Sequence, residues 1–160
     1  MTHSKTRRGF TLIELLIVLA VMGLLALLTL PIAETTLQRA REQELRLALR
    51  EIRSAIDAYK RAYDEGRIVH TTDASGYPKT LALLVEGVED ARDPKKNKIY
   101  FLRRIPGDPL FADQSAPAAD TWGKRAYASE AAEPHEGDDV YDVYSTSTRV
   151  GVNGVPYQRW

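Results

Sequence analysis

The one ionisable side chain in the longest apolar stretch of the sequence is Glu14, four residues beyond a Gly9-Phe10 junction. A carboxylate in apolar surroundings is costly, about 2.5–3.5 kcal/mol at mid-bilayer and less near the end of a span, so it normally has a partner. Cutting the chain between Gly9 and Phe10 creates such a partner. Phe10 then carries a new ammonium group, and residues four apart sit one turn apart on a helix. Glu14 can pair with that amine in its own chain or in a neighbouring copy.

A second concentration of charge lies near the other end. Glu130, Glu133, Glu136, Asp138, Asp139 and Asp142 fall within thirteen positions, and by themselves they read as a solvated acidic loop. Nothing else suggests a reaction centre. His3, His70 and His135 are scattered, there is no cysteine, and no nucleophile elbow, phosphate loop or zinc helix occurs. Thiol chemistry and disulfides are excluded, and Ser145 and Ser147 have no base nearby in sequence. The chain is expected not to be an enzyme.

The elements that position these groups follow from hydropathy. Phe10 to Ala33 is apolar apart from Glu14, and Leu15 to Ala33 is free of charge, about the length a helix needs to cross a bilayer. Lys5, Arg7 and Arg8 precede it without an acid, which places the amino terminus in the cytoplasm and the bulk of the chain on the other side. A removable secretory signal fits poorly, because the run is too long and Thr29-Leu30-Pro31-Ile32-Ala33-Glu34 offers no small-residue cleavage pair. A plain anchor accounts for the span but leaves Glu14 without a purpose. Pro31 is expected to kink the helix. Gly23 and Ala26 suit close helix approach or are simply tolerated in a span.

Beyond Glu34 the pattern turns amphipathic. Leu45, Leu49, Ile52, Ile56, Tyr59 and Tyr63 recur at helical spacing, with Ala48, Ala55 and Ala62 beside them. One helix from about Thr11 to Asp64 is predicted, stopped by Gly66. Its second half turns the stripe to a core, and Arg39, Arg41, Glu42 and Glu44 are read as solvated surface, in preference to contacts with neighbouring copies. After Gly66 a short helix Thr80–Val85 capped by Thr80 is expected, then a strand over Ile99–Leu102 and a rigid turn at Ile105–Pro109. Strands over Arg125–Ala128 and Val140–Ser145 follow, with a turn at Asn153-Gly154. Val152, Val155, Tyr157 and Trp160 are expected to pack the end. The basic and acidic residues balance at 22 each, and no basic face marks a nucleic-acid partner.

Gly9-Phe10-Thr11-Leu12-Ile13-Glu14, with its basic leader and apolar run, resembles the amino-terminal signal of type IV pilins and type II secretion pseudopilins. Gly76-Tyr77-Pro78, Ile105-Pro106-Gly107-Asp108-Pro109, Trp122-Gly123 and Tyr141-Asp142-Val143-Tyr144-Ser145 follow in the order found in the major, G-type pseudopilin. The resemblance implies an α+β pilin-like fold, a long helix (transmembrane, then amphipathic) on a small antiparallel sheet. It implies a cleaved leader (1–9), a membrane and filament-core helix (10–33) and a periplasmic globular domain (34–160). A prepilin peptidase would cut after Gly9 and methylate Phe10, and Glu14 would pair with the amine of an adjacent subunit. Partners would be further copies of the chain, minor pseudopilins and an inner-membrane assembly platform. The subunit would sit in the bacterial inner membrane by a single pass, then in a periplasmic filament. A type IV, competence or minor pilin is the alternative within this superfamily, and an anchored binding module that never polymerises is the alternative outside it. Major pseudopilins also bind calcium after their last strands. Here that implies Asp138, Asp139 and Asp142, although Thr146–Trp160 contains no acid.

Overall fold

The computed structural model describes residues 11–71 and 74–160, with the side chains of 27–34 left out. The chain divides into two compact units, Met1–Gln38 and Arg39–Trp160.

Helix α1 runs Leu12–Asp64. Its start is set by Thr11, whose Oγ1 accepts the Glu14 main-chain N–H at 3.3 Å while its carbonyl takes the same N–H at 3.1 Å. Thr11-Leu12-Ile13-Glu14 therefore has the order of a capping box, a local signal that sequence reading overlooked. An acid in the first turn also faces the positive end of the helix dipole. The other end closes as Gly66 was expected to close it. Gly66 takes a φ of 69°, its N–H bonds the Tyr63 carbonyl at 2.8 Å, and the Arg67 N–H bonds the Ala62 carbonyl at 2.9 Å. This pair of bonds is the Schellman arrangement, and only a residue tolerant of positive φ sits comfortably at its centre.

In the second unit the predicted stripe is the core. Leu45, Ala48, Leu49, Ile52, Ala55, Ile56, Tyr59 and Ala62 are buried, together with Leu81, Leu84, Leu102, Trp122, Val140, Val143 and Tyr157. Tyr63 packs at the margin. Around them lie helix α2 (Leu83–Glu86) and strands β1 (Val88–Glu89), β2 (Lys98–Ile99), β3 (Trp122–Arg125) and β4 (Asp142–Ser145). β1 pairs with β2 and β3 with β4, both antiparallel. The α+β, pilin-like architecture is as expected, with two two-stranded sheets where one small sheet was foreseen.

Several local expectations are corrected. Helix α2 is shorter than Thr80–Val85 and takes no side-chain cap; its N-cap is Ala82, and the Thr80 carbonyl contributes a turn bond from Leu83 instead. The strand expected over Ile99–Leu102 ends at Ile99, because the Phe101 and Leu102 N–H groups both bond the Leu84 carbonyl. β3 lies three residues upstream of the predicted Arg125–Ala128. Ala126 leaves the ladder to bond the His135 carbonyl, and Tyr127 bonds Asp139. At the end of the chain Tyr157 is fully buried, whereas Val152 and Val155 are exposed. Their turn does form, with Gly154 at a φ of 77° and a Val150–Pro156 bridge.

Candidate functional site: the amino-terminal helix and the carboxyl-terminal latch

The first unit offers a chemically simple surface. Every described side chain from Leu12 to Leu25 is exposed, including Leu12 at 77%, Met22 at 63% and Leu24 at 63%. Gly23 has nothing within 4 Å of where a Cβ would stand. A helix that is apolar all round is built for apolar surroundings. Covering each large side chain is worth about 1.5–3 kcal/mol. Glu14 is exposed among these residues. Among the described residues no helix is long and apolar enough to cross a membrane. The continuous side-chain description of this stretch stops at Ala26, whereas the apolar run in the sequence reaches Ala33. Gly9 and Phe10, the expected cleavage and methylation positions, lie outside the described residues, as does the side chain of Pro31.

The second unit carries the acidic loop. Antiparallel register sets Arg125 opposite Asp142, and Arg125 Nη2 donates to Asp142 Oδ2 at 3.3 Å. From α1, Arg53 Nε donates to Asp142 Oδ1 at 2.7 Å. Asp139 Oδ1 accepts the Tyr127 N–H at 2.8 Å, and Asp138 is exposed. The three proposed calcium residues are thus not gathered into one oxygen cage. Among the described residues no three His, Asp or Glu side chains are grouped as a metal ion requires. Two guanidinium groups on Asp142 are also the wrong company for a divalent cation. The residues present do not fit calcium.

Two buried acids escaped sequence reading. Glu42, taken for solvated surface, is only 6% exposed; its Oε1 accepts the Val152 N–H at 2.7 Å and the Tyr157 hydroxyl at 2.8 Å. Asp108 is 1% exposed. Its Oδ2 accepts the Ser145 hydroxyl at 2.6 Å, its Oδ1 accepts the Leu110 N–H at 2.8 Å, and its own N–H donates to Thr121 Oγ1 at 2.9 Å. Trp122, paired with Ser145 across the sheet, donates its indole N–H to the Pro106 carbonyl at 2.7 Å. Ser145 is therefore a buried structural hydroxyl that ties the 105–109 turn to β4. Only the Ile-Pro-Gly-Asp-Pro turn hinted at this, because Glu42 and Asp108 look like any surface acid in sequence.

One further pair fixes the chain after α1. Arg67 donates twice to Asp90 Oδ2, at 3.0 and 2.7 Å. These bonds, with the Arg92 N–H, hold the Asp90 carboxyl below its ordinary 3.8. Asp93 is likewise lowered, by the Lys95 N–H and by Asn97.

A long amino-terminal helix, apolar and exposed at its start and packed on small antiparallel sheets further along, defines a pilin-like protein. Residues 4–30 match the prokaryotic N-terminal methylation motif. The chain is 30% identical over 113 residues to type II secretion system core protein G of Klebsiella michiganensis, covering 68% of this chain and 72% of that one. It is 29% identical over 143 residues to the protein of the same name from Pseudomonas aeruginosa, covering 87% and 93%. With that of Escherichia coli it shares 29% over 117 residues, covering 71% and 73%. No solved structure matches it significantly. The chain belongs to the family of type II secretion system core protein G, the G-type pseudopilins.

Proposed function

We propose that the chain is the repeating subunit of a periplasmic type II secretion pseudopilus. A prepilin peptidase removes residues 1–9 and the new amino-terminal Phe10 is N-methylated. Before assembly the 10–33 helix spans the inner membrane with its amino terminus in the cytoplasm. On assembly it leaves the bilayer for a filament core of like helices, on a platform in the inner membrane and together with minor pseudopilins. The Glu14 carboxylate pairs with the Phe10 ammonium of an adjacent subunit and sets the register. The only chemistry in this reading is done to the protein by its processing enzyme.

The observation that carries the reading is the exposed apolar face from Leu12 to Leu25 with Glu14 as its one charge. Lipid can cover the apolar residues, and so can other copies of the helix. A carboxylate is tolerated in either setting only near an end or beside a cation. The methylation motif over residues 4–30 supports a free amine close by.

The test is the intact mass of the protein from its native membranes. Loss of Met1–Gly9 with one added methyl is expected. A full-length, unmethylated chain in assembled material would overturn the processing step.

A further inference from the structure

Both carboxylate oxygens of Asp142, the calcium candidate on β4, are already engaged by the protein itself. Asp142 Oδ1 receives Arg53 Nε at 2.7 Å and the Val143 N–H at 2.8 Å, and Oδ2 receives Arg125. The same Arg53 guanidinium continues outward. Its Nη2 donates to the Val143 carbonyl at 3.0 Å and to the Trp160 main-chain oxygen at 2.7 Å. One arginine on α1 thereby joins β4 and the last residue. Arg125 is itself held over the Tyr141 ring, 4.8 Å from its centroid.

Two helical turns earlier on α1, Arg46 lies 4.4 Å over the Trp160 ring, and one turn before that sits Glu42. Positions 42, 46 and 53 share a helix face. Glu42 gathers the Val152 N–H and the Tyr157 hydroxyl, and Tyr157 and Trp160 meet edge to face at 5.0 Å. The acidic loop is tied back to the residues that follow β3 and within itself: the Ala126 N–H bonds the His135 carbonyl at 2.9 Å, and the His135 N–H bonds Ser129 Oγ at 2.8 Å.

We propose that this chain closes its carboxyl-terminal region with an internal latch, Glu42, Arg46 and Arg53 of α1 gripping residues 142–160, and that no divalent cation takes part. Arg53 and Arg125 supply the positive charge at Asp142. Calcium requires six to eight oxygens at about 2.3–2.6 Å; admitting one at Asp142 means expelling both guanidinium groups. Planar guanidinium groups also hold a carboxylate directionally. The latch belongs wholly to residues 39–160 and stands whether or not subunits polymerise.

The experiment uses the full chain in nonionic detergent micelles. Melting is followed by tryptophan fluorescence in millimolar calcium chloride and in excess chelator, with tryptic cleavage at Arg149 as the second readout. The two melting temperatures are expected to coincide. Arg53→Met and Glu42→Leu are each expected to lower the melting temperature by about 5 °C or more and to speed cleavage about tenfold, since cleavage follows the population of the opened tail. A melting temperature about 5 °C higher in calcium than in chelator overturns the proposal. Wild-type melting and cleavage in Arg53→Met overturn it equally. The calcium comparison needs no variant to fold.

Discussion

Replacing Asp108 with alanine is expected to be the most damaging polar substitution in the second unit. Its carboxylate is buried and accepts two protein hydrogen bonds, from the Ser145 hydroxyl at 2.6 Å and the Leu110 N–H at 2.8 Å. Hydrogen bonds to a charged group contribute about 1.5–3 kcal/mol each, and a buried donor left without a partner costs about 1–3 kcal/mol. Removing the carboxylate strands both donors, yet it also relieves the cost of burying a charge, so a net loss of about 3 kcal/mol is expected. For a unit of this size that corresponds to a fall of about 12 °C in melting temperature. Ser145→Ala removes one of the two bonds and should cost about 2 kcal/mol. The two residues share a bond, so the double variant should lose less than the sum of the singles. Glu130→Ala, on an exposed side chain, serves as the control and should stay within about 0.5 kcal/mol of wild type. Urea and thermal unfolding of the full chain in micelles, followed by circular dichroism, measures all four. A loss below about 1 kcal/mol for Asp108→Ala, or additive losses for Asp108 and Ser145, would refute the reasoning.

The other expectations can be stated briefly. Glu14→Ala should abolish filament assembly in cells while changing the melting temperature little, because an exposed first-turn acid contributes only about 0.3–1 kcal/mol; normal filaments by immunoelectron microscopy would remove Glu14 from the assembly mechanism. Gly87→Ala should destabilise the chain by about 2–3 kcal/mol in the same unfolding assay. Gly87 holds φ 74° and ψ 159°, a region nearly confined to glycine, and an added Cβ would stand 2.9 Å from the Ile99 carbonyl oxygen. Stability should fall in acid. Asp90, Asp93 and Asp113 have carboxyl groups held below 3.8 in the folded chain; their contribution is complete above that value and is lost as pH falls through the lowered ones. Asp90→Asn should flatten part of that acid slope in melting curves taken against pH, and an unchanged slope would mean that the Arg67 pair does not stabilise the fold.

The parts of the fold legible in sequence are those governed by a repeated signal. The stripe from Leu45 to Ala62 is periodic over several turns, so its burial could be read directly, and Gly66 ended the helix through a backbone requirement that few other residues meet. Short elements carry no such repetition. β1 and β2 have two residues each, and the Ile99–Leu102 run was drawn away from a ladder by the Leu84 carbonyl, a partner fifteen or more positions distant. The same holds for the polar groups. Glu42 and Tyr157 are 115 residues apart, Arg53 and Asp142 are 89 apart, and Asp108 and Ser145 are 37 apart. Nothing local to Glu42 distinguishes it from Glu44, which remains exposed. The calcium expectation came from the resemblance to major pseudopilins together with the run of carboxylates, and neither reveals the two arginines that α1 and β3 bring to Asp142.

These contrasts bear on how one helix can serve two surroundings. In the second unit α1 is amphipathic, and its polar anchors Glu42 and Arg53 hold a specific set of main-chain groups. A carboxylate bonded to two donors fixes distance and direction, so a slip of one residue along α1 would break the bonds. In the first unit the side chains from Leu12 to Leu25 are exposed and chemically alike except for Glu14. Dispersion and apolar burial are non-directional, so such a surface passes from lipid to other helices with little change in free energy, but it cannot by itself select one register among many. A single carboxylate matched to a single ammonium can, because sliding the helices apart by one turn leaves both charges unpaired in apolar surroundings. On this reasoning Glu14→Gln, which preserves size and polarity but removes the charge, should behave like Glu14→Ala in filament yield. Restored assembly in Glu14→Gln would mean that a hydrogen bond alone sets the register and that the charge is dispensable.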